Sequence, residues 1–94
     1  MSRKIVLTKA FNRGYKRMIK RGKDKRKLET VLNLLANDEA LEKRYADHAL
    51  TGNFSHCREC HIELDWLLIY QFFDEGDRSI LRLNDTGSHS DLFD

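Results

Sequence analysis

The apolar residues of this chain change period once along its length, and that change limits the folds open to it. Phe11, Tyr15, Met18 and Ile19 stand at i, i+4, i+7 and i+8, one stripe of an amphipathic helix. Leu28, Val31, Leu32 and Leu35 form a second stripe. Thr8 is placed to cap the first helix and Asp24 the second. Gly22 is the stop between them, because glycine tolerates the left-handed backbone that ends helices. Beyond Thr51-Gly52-Asn53, a turn signal, the period becomes that of strands. Residues 54–63, 66–73 and 79–85 are the candidates, with a hairpin loop at Asp74-Glu75-Gly76-Asp77. Residues 3–7 read as a short strand ahead of the helices. Residues 38–53 read as irregular, or briefly helical over 39–44, and residues 86–94 as a turn with a short tail. The pattern predicts an α+β fold in a single domain spanning residues 1–94: an N-terminal strand, an antiparallel helix pair and an antiparallel meander.

Charge divides at nearly the same place. Residues 1–28 hold twelve lysines and arginines against one acid, Asp24, a balance of +11. Residues 29–94 hold five basic and fourteen acidic residues, −9, so the overall +2 conceals a steep separation. A solvated helix face would carry such a run. The lack of compensating acids points instead to a polyanion-facing surface of Lys9, Arg13, Lys16, Arg17, Lys20, Arg21, Lys23, Lys25, Arg26 and Lys27. With 40% apolar and 34% charged residues the chain is not of the disordered class. No apolar run approaches the ~20 residues that span a bilayer. Ile5-Val6-Leu7 is too short for a signal-peptide core after the basic start, so a cytoplasmic location with reduced thiols is expected, and no membrane partner.

The four histidines are notable for their placement: His48 before the sheet, His56 and His61 in its first long strand, and His89 in a Gly-Ser-His turn after the last. RNA cleavage by transesterification needs a base for the 2′-hydroxyl proton, an acid for the 5′-oxygen and cations for the phosphorane. Imidazoles and an arginine would supply these without a metal or other cofactor. Any single one of these histidines also reads well as a surface residue. Strand alternation puts Cys57, Glu59, His61 and Glu63 on one face and His56, Arg58, Cys60 and Ile62 on the other. Glu59 and His61 are thus same-face neighbours, able to pair and orient the ring. The same alternation sends the two thiols of Cys57-x-x-Cys60 to opposite faces, ~10 Å apart along the strand, which suits neither a disulfide nor a zinc site.

Three motifs carry a family resemblance. Tyr45-Ala46-Asp47-His48-Ala49-Leu50-Thr51-Gly52 looks like the Tyr-x-Asp-His-x-Leu-x-Gly pattern of the YafQ branch of the RelE/ParE toxin superfamily. The run from Arg58 to Tyr70, containing Glu59, His61, Asp65 and Trp66, is similar to that family's second and third strands. Thr86-Gly87-Ser88-His89-Ser90-Asp91-Leu92-Phe93 matches its C-terminal signature. The resemblance covers nearly the whole chain, and the motifs keep the family's order. It implies a RelE-like fold, with a helix hairpin packed on a small antiparallel sheet, and an endoribonuclease that cuts mRNA in the ribosomal A site. It also implies neutralisation by a cognate antitoxin protein, in a complex of higher order than the monomeric free toxin.

The same resemblance maps catalysis onto His48, His61, Asp65, His89 and Phe93, with Glu59 and Trp66 in support, and gives the basic helices ribosomal RNA as a partner. One departure is Asp85, where many relatives are basic; Arg82 is the nearest cation, on the opposite face of an alternating strand. Two other functions fit parts of the pattern. A ParE-like gyrase poison shares the fold but has no use for the placed histidines. A nonenzymatic nucleic-acid-binding module would depend on the basic helices alone.

Overall fold

The structure, a computed structural model, describes residues 2–93; Met1 and Asp94, the two ends of the sequence reading, lie outside them. In chain order the elements are β1 (Lys4–Leu7), α1 (Lys9–Lys20), α2 (Lys25–Ala36), β2 (His48–Ala49), β3 (Arg58–Glu63), β4 (Trp66–Glu75), β5 (Arg78–Gly87) and α3 (His89–Phe93). The strands form one sheet in the order β1-β5-β4-β3-β2. The α+β class and the helix hairpin follow the period change. The sheet is mixed rather than wholly antiparallel, because β1 pairs in parallel with β5, Lys4 opposite Ile80. A parallel neighbour must be reached by a crossover, and here the helix hairpin and the meander intervene between the two strands.

Local chemistry sets the helix ends where the sequence places them. The Thr8 hydroxyl accepts the Phe11 N–H at 3.0 Å, and Asp24 accepts the Arg26 N–H at 2.9 Å. Gly22, at φ 90°, breaks α1 and turns the chain back. The hairpin between β4 and β5 is tighter than the sequence reading: Glu75 pairs with Arg78, so only Gly76 and Asp77 form the loop, with Gly76 at φ 61°. At the other end β3 starts at Arg58, not residue 54, because Gly52–Phe54 makes a 3-10 turn and the Cys57 N–H is drawn back to the Phe54 carbonyl at 2.8 Å. His48 and Ala49, read as irregular, form the short edge strand β2. The expected helical turn over 39–44 is a 3-10 turn at Lys43–Tyr45.

The sheet has two different faces. Against the helices lie Cys60, Ile62, Trp66, Leu68, Tyr70, Leu81 and Leu83, packed under Phe11, Met18, Leu28, Val31 and Leu35. Ile19, part of the α1 stripe by spacing, is instead 36% exposed. The first residues of β4, Trp66 to Tyr70, are fully buried, so Leu67 and Ile69 are covered on the opposite face as well. Trp66 is a core residue: its indole N–H donates to the Thr86 hydroxyl at 3.0 Å, and that hydroxyl donates to the Leu67 carbonyl at 2.6 Å. The indole N–H and the Thr86 hydroxyl are thereby both partnered, which burial in a low-dielectric core demands. No helix among the described residues is long and apolar enough to cross a membrane.

Gly14 lets α1 lie directly on the backbone of β5. A Cβ there would stand 2.1 Å from the Thr86 carbonyl oxygen, a contact with main chain that no side-chain rotation relieves. Gly14→Ala is therefore expected to destabilise the fold by about 3 kcal/mol, lowering Tm by roughly 12–24 °C. A raised Tm, as for an exposed helical glycine where alanine gains about 1 kcal/mol, would contradict this packing. The thiols give a second check. Cys60 is buried in the helix-side core and its thiol pKa is pushed up to about 12 by burial, and burial raises Cys57 too. Neither should be alkylated by iodoacetamide at pH 8 until denaturant is added; rapid labelling of the native protein would contradict their placement.

Candidate active site

The face of the sheet away from the helices gathers most of the chain's imidazoles. Alternation along β3 brings Glu59 and His61 there, and β2 sets His48 directly opposite Glu59. The Glu59 side chain is only 6% exposed, and one of its oxygens, Oε1, lies 3.3 Å from His61 Nε2 and 3.7 Å from His48 Nε2. The predicted Glu59–His61 pair is thus present, with His48 on the same oxygen. The His48 ring is oriented from behind by the Ala46 carbonyl, 2.7 Å from Nδ1. Ala46 presents that carbonyl from a left-handed conformation, φ 48°.

Glu63 does not share this face as simple alternation has it. The ladder shifts between His61 and Glu63, leaving one extra residue on β3, and the bulge turns Glu63 to the helix side. There Lys23 and Lys27 clamp its carboxylate at 2.8 and 2.7 Å and hold its pKa below the ordinary range. Cys57 and Cys60 do fall on opposite faces. Cys60 lies in the helix-side core and Cys57 beside the Asn84 amide.

His89 arrives from the other end of the sheet. The Ser88 hydroxyl accepts the Asp91 N–H at 3.1 Å while Asp91 accepts the Ser88 N–H at 2.9 Å, a reciprocal cap that turns β5 into α3. His89 is the first residue of that helix. Asp65, in the turn between β3 and β4, accepts both the His89 backbone N–H at 2.8 Å and its ring Nδ1–H at 2.6 Å. These bonds hold the Asp65 carboxyl below its ordinary pKa. With Nδ1–H donated to Asp65, Nε2 of His89 is left for proton transfer. The rings of His61 and His89 stand edge to face, 5.6 Å between centroids. Phe93, 46% exposed, meets Phe54 edge to face at 6.3 Å.

The geometry thus unites Glu59 with His48 and His61, and Asp65 with His89, and brings the two groups together through the His61–His89 contact. Arg82 stands apart: its guanidinium lies over the Phe73 ring at 4.7 Å, on the Gln71–Arg82 row of the sheet rather than the His48–Glu59 row. His56, exposed in the loop before β3, lies outside the cluster of pairs. Asp85 turns its carboxylate to α1 beside Gly14 and accepts the Thr86 N–H at 2.8 Å; burial raises its pKa, against the pull of that hydrogen bond and of Arg17 and Arg13. Trp66 supports the site from the core, through its bond to Thr86 three residues before His89.

The basic residues divide into two sets. Arg17 and Arg21 hold Asp91, Lys23 and Lys27 hold Glu63, and Arg26 holds its own cap, Asp24. Lys9, Arg13, Lys16, Lys20 and Lys25 are exposed. A cleft of about 580 Å³ opens beside His61, with Lys27, Arg44 and Tyr45 in its walls. Sequence reasoning missed Phe54, the Ala46 carbonyl and Asp91. Only Asp91 had a legible signal, the Ser-x-x-Asp spacing of a cap.

A sequence profile of the family described as "Bacterial toxin of type II toxin-antitoxin system, YafQ" matches residues 3–94. An Escherichia coli (strain K12) protein, "mRNA interferase toxin YafQ", is 36% identical over 94 residues, 99% of this chain and 98% of the relative. The crystal structure of YafQ from E. coli strain BL21(DE3) superposes with a TM-score of 0.88 at 35% identity, covering 98% of this chain and 99% of that one. YafQ in the E. coli DinJ-YafQ toxin-antitoxin complex matches at a TM-score of 0.86 and 36% identity, with 100% of both chains covered. Sequence and fold agree along nearly the whole length, and the chain belongs to the YafQ family of toxins of type II toxin–antitoxin systems.

Proposed function

We propose that this chain is a ribosome-dependent mRNA endoribonuclease, the toxin of a type II toxin–antitoxin pair, cutting messages in the A site by metal-independent transesterification. The observation that carries this reading is the convergence of three imidazoles from three separate elements, two of them on Glu59 and the third on Asp65. The E. coli relative's description as an mRNA interferase supports the same reaction class.

In this reaction a base removes the 2′-hydroxyl proton and the 2′-oxygen attacks the adjacent phosphorus. A 2′,3′-cyclic phosphate forms as the bond to the 5′-oxygen breaks, and an acid delivers a proton to that leaving oxygen. His48 and His89 form the proton-transfer pair, each with one ring nitrogen anchored, to Ala46 and Asp65 respectively. His61, oriented by Glu59, stands beside His89 to meet the phosphate, and Arg82, two rows further along the sheet, adds positive charge only at longer range. Phe93 and Phe54 offer an aromatic surface for the nucleotide.

The outward cations Lys9, Arg13, Lys16, Lys20 and Lys25 meet ribosomal RNA. A cognate antitoxin is the protein partner, as DinJ is for the E. coli relative. The chain acts in the cytoplasm as a single toxin unit of residues 1–94, monomeric when free and of higher order in the neutralised complex.

The test is a purified translation system with a defined message. Wild type is expected to cut within the A-site codon. At equal folded concentration His89→Ala should lose at least ~10²-fold in rate, and Asp65→Asn a substantial part of that. Cleavage unchanged in His89→Ala would contradict the assignment. Wild-type ribosome binding without cutting would favour a binding module, and absence of binding the gyrase-poison reading.

A further inference from the structure

The Asp65–His89 pair is the most exposed part of the site, with 55% of the histidine side chain and 63% of the aspartate accessible. An exposed pair of this kind does little to hold its own geometry. Nor does α3 hold itself, since its five residues are far below the length at which an isolated helix persists in water. Beyond the Asp65 and Phe54 contacts, the end that carries His89 and Phe93 draws on a further, less exposed anchor.

Asp91 is that anchor's centre of contacts. Its side chain is only 13% exposed, and it collects contacts from two other elements. Arg21, just past the end of α1, forks onto both carboxylate oxygens, at 2.7 and 3.1 Å, and Arg17 lies 3.5 Å away. A two-pronged arginine–carboxylate bond fixes orientation as well as distance. The Ser88 N–H donates to the same carboxylate at 2.9 Å. Gly87 completes the seat: a Cβ there would fall 2.8 Å from the Asp91 Cβ, so the end of β5 and the first turn of α3 touch without room for a side chain. The Arg21 bond, with the Ser88 N–H, depresses the Asp91 pKa far below the ordinary carboxylate range, so the clasp stays ionised at neutral pH.

We propose that Asp91 is a positioning residue for the cleavage reaction: clasped by Arg21 and Arg17, it seats α3 on α1 and thereby sets where the His89 imidazole and Phe93 stand. The proposal rests on the reading that His89 takes part in cleavage. It also separates Arg17 and Arg21 from the polyanion-facing cations with which their place in the sequence groups them. The Arg21 guanidinium is committed to the protein's own carboxylate, with that of Arg17 beside it at 3.5 Å. Loss of either partner should slow the chemical step rather than weaken ribosome binding.

The experiment compares full-length wild type, Asp91→Asn, Asp91→Glu and Arg21→Gln. It measures single-turnover cleavage of a ribosome-bound message, ribosome affinity, and the NMR signals of the histidine rings in the free protein. Asp91→Asn and Arg21→Gln are expected to cut roughly 10–100-fold more slowly, the scale of a small misplacement of a reacting group, with affinity changed less than about twofold. Asp91→Glu should recover most of the rate, because it keeps the charge that Arg21 grips. The His89 ring signals, and the cross-relaxation between His61 and His89, should change in Asp91→Asn while the His48 signals stay in place. Wild-type cleavage by Asp91→Asn, or a loss seen only in ribosome affinity, would overturn the proposal. If wild type itself leaves the message uncut, the reading of the reaction fails. The ring signals then decide the clasp alone, and unmoved His89 signals in Asp91→Asn would overturn it.

Discussion

The central strand β4 is buried on both faces from Trp66 to Tyr70, and the rest of the molecule is arranged by that demand. Trp66, Leu68 and Tyr70 require a cover, which α1 and α2 provide. Leu67 and Ile69 point the other way, under the face that carries Glu59 and His61 on the neighbouring strand. A buried apolar strand is a rigid floor, since close-packed interiors resist displacement. The candidate site therefore stands on well-packed backbone, although its own side chains reach solvent. The Trp66–Thr86 hydrogen bond, on the helix side of the sheet, anchors the end of β5 in the core three residues before His89 emerges at the surface.

Charge follows a similar division. The basic N-terminal third is one run in sequence and two sets of residues in space. One set braces the fold at Glu63 and Asp91, far along the chain, and so links the helix hairpin to the turn after β3 and to α3. These pairs lie where the chain's acidic and basic parts meet, so part of the charge separation along the sequence is cancelled by folding. The other set faces outward and carries the field that the proposed RNA contacts require. Net charge alone could not have distinguished the two, because the carboxylates that decide it are about 40 and 70 residues away in sequence.

How much was legible follows from what each signal depends on. Helix caps, the glycine turns and the Glu59–His61 pair rest on local rules and hold in the structure. The parallel pairing of β1 was not legible, since strand order depends on contacts across the whole chain. Nor was the side-switch of Glu63, which needs a bulge that the alternating pattern conceals. His48 could be singled out as a candidate residue, but not its position opposite Glu59, because a strand of two residues leaves no periodic trace. His89 stands out in the sequence by its placement after the last strand, and the family motifs add a role for Asp65. Their hydrogen bond appears only once α3 is folded back over the turn between β3 and β4.

The proposed chemistry depends on one atom of the substrate more than on any residue of the protein: the 2′-oxygen that the imidazoles are arranged to deprotonate. The most direct measurement uses a message with a single 2′-deoxynucleotide on the 5′ side of the bond that wild-type protein cuts, in the same purified translation system. The account predicts that this bond survives while the all-ribose message is cut to fragments ending in 2′,3′-cyclic phosphate and 5′-hydroxyl. Cleavage at the deoxy position, leaving a 3′-phosphate or a 5′-phosphate, would mean that water is the nucleophile and would contradict it.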